Sequence, residues 1–174
     1  MATARPFPKN RLVMGILLAR RALLEGLLRE LEALYGPICE VSPIRVFEES
    51  DYYDTEMGNK PLRLYVAFTH LVDPSRLAAI KGETNALELR FLNAEGGREV
   101  NLDPGLLSLT SLVLATAKGR THRIALADGI WADLTLIWSK GRFVPLDWTY
   151  ADYRDEGVRS LFGAWREALK QGDG

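Results

Sequence analysis

The chain has 174 residues, 47% hydrophobic and 26% charged, with a formal net charge of −1. That length fits one domain with a buried core, and a charge so near zero gives no overall field to draw the chain onto nucleic acid or an anionic membrane. The lone cysteine, Cys39, excludes an internal disulfide and a four-cysteine zinc site. No run of about 18 apolar residues predicts a transmembrane helix, and the cytosol is the expected compartment.

Residues 1–10, MATARPFPKN, carry two prolines and no apolar signal core, so they read as a mobile tail ahead of a single α+β domain over residues 11–170. Residues 12–18, LVMGILL, predict a buried strand. Leu23, Leu24, Leu27, Leu28, Leu31, Leu34 and Tyr35 then recur at helical spacing, stopped by Gly36-Pro37. Residues 38–47 alternate as a strand, and Pro43 marks it as an edge or a bulge. Residues 48–60 are acidic, aromatic and loop-like, and residues 62–68 predict the next strand. Asp73-Pro74 supplies an N-cap and a first-turn proline for a second helix. Its buried stripe is Leu77, Ile80, Thr84, Leu87 and Phe91, with Lys81, Asn85 and Glu88 as a second stripe about 100° round. Gly96-Gly97 turns the chain, residues 100–102 begin a strand, and Asp103-Pro104-Gly105 predicts a turn. Residues 106–117 fit either a short helix or an extended stretch.

Asp128-Gly129 lies between two alternating apolar runs and predicts a hairpin with a type I′ turn. A two-residue loop sets Ala127 against Ile130, Ala125 against Ala132, Arg123 against Leu134 and Thr121 against Leu136. His122 then lies opposite Thr135 and diagonal to Asp133, within side-chain reach. Ser139-Lys140-Gly141 predicts a second hairpin, residues 147–154 an aromatic loop, and Val158, Leu161, Phe162, Trp165 and Leu169 a closing helix. The fold class is α+β: a mainly antiparallel sheet with helices packed on one face, a ferredoxin-like core extended by a C-terminal β-meander and helix.

Five segments carry a family resemblance: DYYDTEMG at 51–58, KGETNALE at 81–88, NLDPG at 101–105, THRIALADGIWADLTLI at 121–137 and WTYADYR at 148–154. Together, in this order over nearly the whole chain, they resemble the bacterial and archaeal family known as domain of unknown function 4416. The resemblance implies no defined activity. A loose GTP-binding label on some relatives does not mean a P-loop here, because the chain has no GxxxxGK[ST]. Ala151 stands where the resemblance leads one to expect a second proline in the last loop.

No motif fixes a reaction, and whether the protein is an enzyme is left open. His122 with a carboxylate such as Asp133 could serve as a general base and its orienting partner, with Glu56 and Asp103 as further catalytic candidates. The bland alternative is a strand-end histidine bonded to Thr135. His122, Asp103, Glu56 and Glu88 are a candidate set for a divalent metal of the Zn or Mn type, without any recognised ligand spacing. Lys118, Arg120 and Arg123 in KGRTHR, with Lys81, suit a phosphate or carboxylate. Arg123 interrupts an apolar strand face and therefore needs a partner, Glu88 or Glu56 being the bland choice. Lys81, Asn85, Glu88, Asn101 and Arg123 are the candidate ligand-binding residues. Tyr52, Tyr53, Trp148, Tyr150 and Tyr153 could stack on a base or sugar but more often cap a core; their neighbours Asp51, Asp54, Asp152 and Asp155 speak against nucleic acid. Cys39 reads as core.

The expected function is binding of an anionic small molecule, phosphorylated or carboxylated, a class that includes nucleotides, with hydrolase-type chemistry through His122. The alternative is a non-catalytic interaction or homo-oligomerisation module that uses the aromatic loops. The metal or other cofactor is left unassigned.

Overall fold

The computed structural model describes residues 3–49, 57, 58 and 60–172. Residues 3–9 are exposed and carry no regular secondary structure. The described residues form one sheet of nine strands: β1 (Asn10–Leu18), β2 (Ile38–Val41), β3 (Arg45–Val46), β4 (Leu62–Val72), β5 (Val100–Leu107), β6 (Ser111–Thr116), β7 (Ile124–Ala125), β8 (Trp131–Ser139) and β9 (Arg142–Pro145). Its order is β2-β4-β1-β5-β6-β8-β7, with β3 beside β4 and β9 beside β8, and each of these pairings is antiparallel. The α-helices are α1 (Leu24–Tyr35), α2 (Leu77–Glu88), α3 (Ala151–Arg154) and α4 (Glu156–Gln171).

The expectation of helices on one face is corrected: they cover both. Leu12, Met14, Ile16 and Leu18 of β1 point to one side, where Leu64, Val66 and Phe68 join Leu27 and Leu31 of α1 and Ile80 and Leu87 of α2. Val13, Tyr65 and Ala67 point to the other, against Tyr153 of α3 and Val158, Phe162 and Trp165 of α4. The unbroken apolar runs of β1 and β4 are what a strand buried on both faces requires. Because α1 and α2 fill the first face, the apolar stripe of α4 has only the second to cover.

Several punctuation marks work as expected. Gly36 ends α1 with φ 87°, Asp73 caps Ser75 ahead of α2, Asp155 caps Val158 at the start of α4, and the chain breaks between β2 and β3 around Pro43, at the sheet edge. Lys140 and Gly141, both at positive φ, turn β8 into β9. Residues 147–154 are not a loop throughout, since α3 makes one turn of helix there.

Asp103-Pro104-Gly105 is not a turn. It lies inside β5, paired along its length with β1. Strand β6 joins β5 only at Gly105, Leu106 and Leu107, so the opposite edge of β5 is unpaired before that point. Leu102 presents both its N–H and its C=O to that open edge, where side chains bond them. Strand periodicity puts the nitrogen of Pro104 on the same side, and a missing N–H costs little where no strand waits for it. Residues 106–116 then extend as β5 and β6, not as a helix.

The Asp128-Gly129 turn forms, with φ of 53° and 75° and Ile130 N–H donating to Ala127 O at 2.8 Å. The expected register does not. Leu126 donates to Ile130 O, so the ladder slips by one residue and pairs Ile124 with Ala132 and Ala125 with Trp131. One step further, Arg123 meets Asp133 instead of Leu134. A bulge in the β6–β8 ladder at Thr135 then lets the adjacent Thr135 and Leu136 both be buried.

Leu27 is fully buried under the sheet, whereas Leu34 on the same helix is 50% exposed. Leu27→Ala is expected to cost roughly 2–5 kcal/mol and Leu34→Ala less than about 0.5 kcal/mol. Urea unfolding of the two variants checks this; equal losses would contradict the orientation of α1.

Candidate functional site

One cleft of about 620 Å³ opens where β6 parts from β5. Its floor is the α3-side face of β1, β4 and β5. Register puts Gly15 and Leu17 of β1 between Arg63 and Tyr65 of β4 and Asn101 and Asp103 of β5. Arg63 is buried, with Nη2 donating to Asp152 Oδ2 at 2.6 Å and Nη1 to Asp103 Oδ2 at 3.2 Å. Tyr65 Oη donates to the same Asp152 oxygen at 3.1 Å. The guanidinium carbon lies 4.8 Å from the Tyr65 ring centre and 5.4 Å from that of Tyr153. Burial works against the charge of Arg63, but Asp152 foremost, with the two phenols and Asp103, holds its pKa well above the ordinary value.

Tyr153 reaches the floor from α3. A Cβ on Gly15 would come within 2.5 Å of the Tyr153 hydroxyl and 3.0 Å of Arg63 Nη2, so this position requires glycine for close approach. The Tyr153 hydroxyl is buried without a hydrogen-bond partner among the described residues. Burial drives its pKa far up, and Arg63 offsets only part of that. The group is a neutral phenol, able both to donate and to accept.

Lys81 and Glu88, about two helical turns apart on α2, close the open edge of β5. Lys81 Nζ donates to Leu102 O at 2.7 Å, and Leu102 N donates to Glu88 Oε1 at 2.8 Å. The two side chains stand where the next strand would be and satisfy the backbone groups it would have met. They are 3.8 Å apart, and Arg98 donates to Glu88 Oε2 at 3.0 Å. Burial outweighs these cations and raises the Glu88 pKa.

The mouth is built by the segment between β6 and β7. Arg123, buried, donates from Nε to Asp133 Oδ2 at 2.8 Å, from Nη1 to Lys118 O and from Nη2 to Tyr150 Oη. It pins the segment to β8 and to the turn before α3, and each terminal nitrogen keeps a second N–H. His122 Nε2 is 3.3 Å from the same Asp133 oxygen, and its ring stacks on Trp148 at 4.8 Å and 13°. Gly119 lies on the Trp131 ring, where a Cβ would come within 3.3 Å. Lys118 and Arg120 are exposed at the rim. Thr135 Oγ1 donates to Asp133 O, so it is not the partner of His122.

The cleft thus brings together Lys81, Asn85, Asn101, Asp103, His122 and Arg123 as lining residues, with Glu88 behind Lys81. Glu56, Tyr52, Tyr53, Asp51 and Asp54 lie outside the described residues. Arg123 pairs with Asp133 and not with Glu88, as the slipped register dictates. Asp152 is no solvated loop acid, since it is buried on Arg63. Cys39 is exposed instead of core, because β2 is an edge strand, and Arg11 Nη1 lies 2.9 Å from its Sγ. Among the described residues no three His, Cys, Asp or Glu side chains are grouped to hold a metal. Arg63, Tyr153 and Asn101 are the site's buried polar centre, and reading the sequence missed the first. Arg63 alternates with apolar residues as a solvent-facing residue would, and only its position two before Tyr65 hints at aromatic company.

A mainly antiparallel α+β protein with helices on both sheet faces and a basic cleft lined by internally paired charges is the class that this geometry defines. The chain belongs to the family described as Domain of unknown function (DUF4416), whose model matches residues 8–169. No curated protein and no solved structure matches it. Among the described residues no helix is long and apolar enough to cross a membrane.

Two consequences are measurable. Gly15→Ala forces Tyr153 and Arg63 aside and is expected to cost about 1–3 kcal/mol in urea unfolding; an unchanged midpoint would contradict the close approach. For Glu88, a raised folded pKa means that its stabilisation is complete below the ordinary carboxylate range and is lost in part as pH rises through the raised value. The stability advantage of the natural chain over Glu88→Gln is therefore expected to shrink as pH rises from the ordinary carboxylate range through the raised value. An advantage that grows as pH rises above the ordinary carboxylate range would show the cations winning over burial.

Proposed function

We propose that the cleft binds a small anionic molecule, phosphorylated or carboxylated. The observation that carries this reading is charge imbalance: among the described residues six Lys or Arg side chains line the cleft with three Asp, and Glu88 stands behind Lys81 and Arg98. Among the described residues, Arg120 and Arg123 stand at the mouth with Lys118 and Asp133, and the second N–H groups of Arg123 suit a planar or tetrahedral anion. His122, oriented through Nε2 by Asp133, keeps Nδ1 for proton exchange as a general acid or base in a hydrolase-type step. Asp103 is the second candidate catalytic carboxylate. Lys81 and Glu88 act by holding β5, and Asn85 lines the wall. A nucleotide belongs to the same ligand class, with Trp148 as the ring its base would meet.

The order β2-β4-β1-β5, antiparallel throughout and joined through α1 and α2, supports reading the first half as a ferredoxin-like core, with β6, β8 and β9 as a meander added to it. A second functional reading, a contact between copies of the chain, is favoured by Ile124, 71% exposed on edge strand β7, and by exposed Leu126, Trp148 and Tyr150.

Calorimetric titration with inorganic phosphate at low ionic strength tests the first reading. Saturable binding that weakens with salt is expected, and Arg120→Glu should weaken it by about tenfold. Absence of binding by phosphate and by acetate, together with a dimer in sedimentation, would replace the first reading by the second.

A further inference from the structure

We propose, on the basis of the anion reading above, that the ligand is a polyhydroxylated anion, a sugar phosphate or a sugar acid, whose hydroxyl-bearing part lies on the cleft floor. Among the described residues, three lining groups there have a buried polar atom without a hydrogen-bond partner: the hydroxyl of Tyr153, a residue 1% exposed, Nδ2 of Asn101, a residue 6% exposed, and Nε of Arg63, a residue 2% exposed. Buried polar atoms are nearly always hydrogen-bonded, so orphaned atoms on three residues that line one cavity mark where a ligand supplies the missing partners.

Their placement narrows the chemistry. Asn101 and Asp103 are two residues apart on one face of β5, about 7 Å along the strand. Gly15 is directly opposite Asp103, and the Tyr153 hydroxyl overhangs Gly15. The row therefore offers an amide that only donates, a carboxylate that only accepts, with Oδ2 on Arg63 and Oδ1 left to accept, and a phenol that does either. A ligand hydroxyl both donates and accepts, so a polyol can satisfy all three.

Charge excludes the other end groups. Around Gly15, Arg63 is matched by Asp103 and Asp152 together, which leaves that end of the floor net negative and disfavours a phosphate or carboxylate there. The Arg63 Nε, without a partner among the described residues, can donate to a ligand hydroxyl. At the other end Arg98 donates to Asn101 Oδ1 at 3.4 Å and to Glu88. An ammonium group would suit Asp103 but has nothing to accept the N–H of Asn101 and would sit beside the Arg63 cation. The anionic group belongs at the mouth with Lys118, Arg120 and Arg123, and the neutral hydroxylated group on the floor.

The test is calorimetry on the full chain with matched probes: ribose 5-phosphate against phenyl phosphate, gluconate against benzoate, and inorganic phosphate as reference. At least one polyol is expected to bind about tenfold or more tightly than its aromatic counterpart, two added hydrogen bonds being enough for that. Which pair shows the preference tells phosphate from carboxylate. Asn101→Ala and Tyr153→Phe should each erase most of the preference, and inorganic phosphate should bind them within about twofold of its affinity for the natural chain. Tyr153→Phe removes a hydroxyl that bonds nothing among the described residues, so it should keep the thermal midpoint. If phenyl phosphate and benzoate bind as tightly as the polyols, the polyol assignment is overturned while the anion reading stands. If none of the five probes binds, both fall.

Discussion

Leu102 turns its N–H and C=O toward a side of the sheet where no strand lies, and the rest of the site follows from that. A buried strand edge must be satisfied, and here a cation and a carboxylate from one helix do it, Lys81 on the oxygen and Glu88 on the nitrogen. Because side chains and not a strand fill the edge, β6 can leave β5 at Gly105 and the sheet opens. Pro104 fits the same edge, having no N–H to lose. The gap becomes the cleft, and the residues on either side of it become its floor and mouth.

Three ion clusters then surround that gap: Arg63 with Asp103 and Asp152, Lys81 with Glu88 and Arg98, and Arg123 with Asp133 and His122. Buried pairs of this kind are poor sources of stability, since desolvation takes back most of the attraction. An apolar filling would serve the fold as well. What the clusters provide is fixed direction. Arg63 is held from two sides and stacked between two phenols, Arg123 donates from all three nitrogens, and His122 is held between Asp133 and Trp148. Groups locked this way need little rearrangement when a ligand arrives.

Much of the fold was legible in local chemistry. Both positive-φ hairpin turns, the helix caps and the apolar stripes of α1, α2 and α4 act through neighbours in the chain, so sequence displays them. Long-range choices were not legible. Nothing in the stripe of α4 says which sheet face it will cover. Asp-Pro-Gly means a turn only where the chain is free to turn, and β1 holds it straight. The I′ turn formed, but a single shifted bond moved the register by one residue and gave Arg123 its true partner, Asp133. The need of Arg123 for a carboxylate could be read from its apolar neighbours; the identity of that carboxylate could not. Lys81, Asn85 and Glu88 were visible as a stripe, but the role of Lys81 and Glu88 as a substitute strand depends on β5 having an open edge. Arg63 and Asp152, 89 residues apart, meet only through the tertiary fold.

The central claim is that ordered cations around this opening receive an anion. Nitrogen-15 NMR during a phosphate titration tests it most directly, because it reports where binding occurs as well as whether it does. The account predicts saturable shifts of the Arg123 Nε–H, the Trp148 indole N–H and the backbone amides of residues 118–123, with the amides of α1 unmoved. Shifts that never saturate, or that gather away from the cleft, would contradict it.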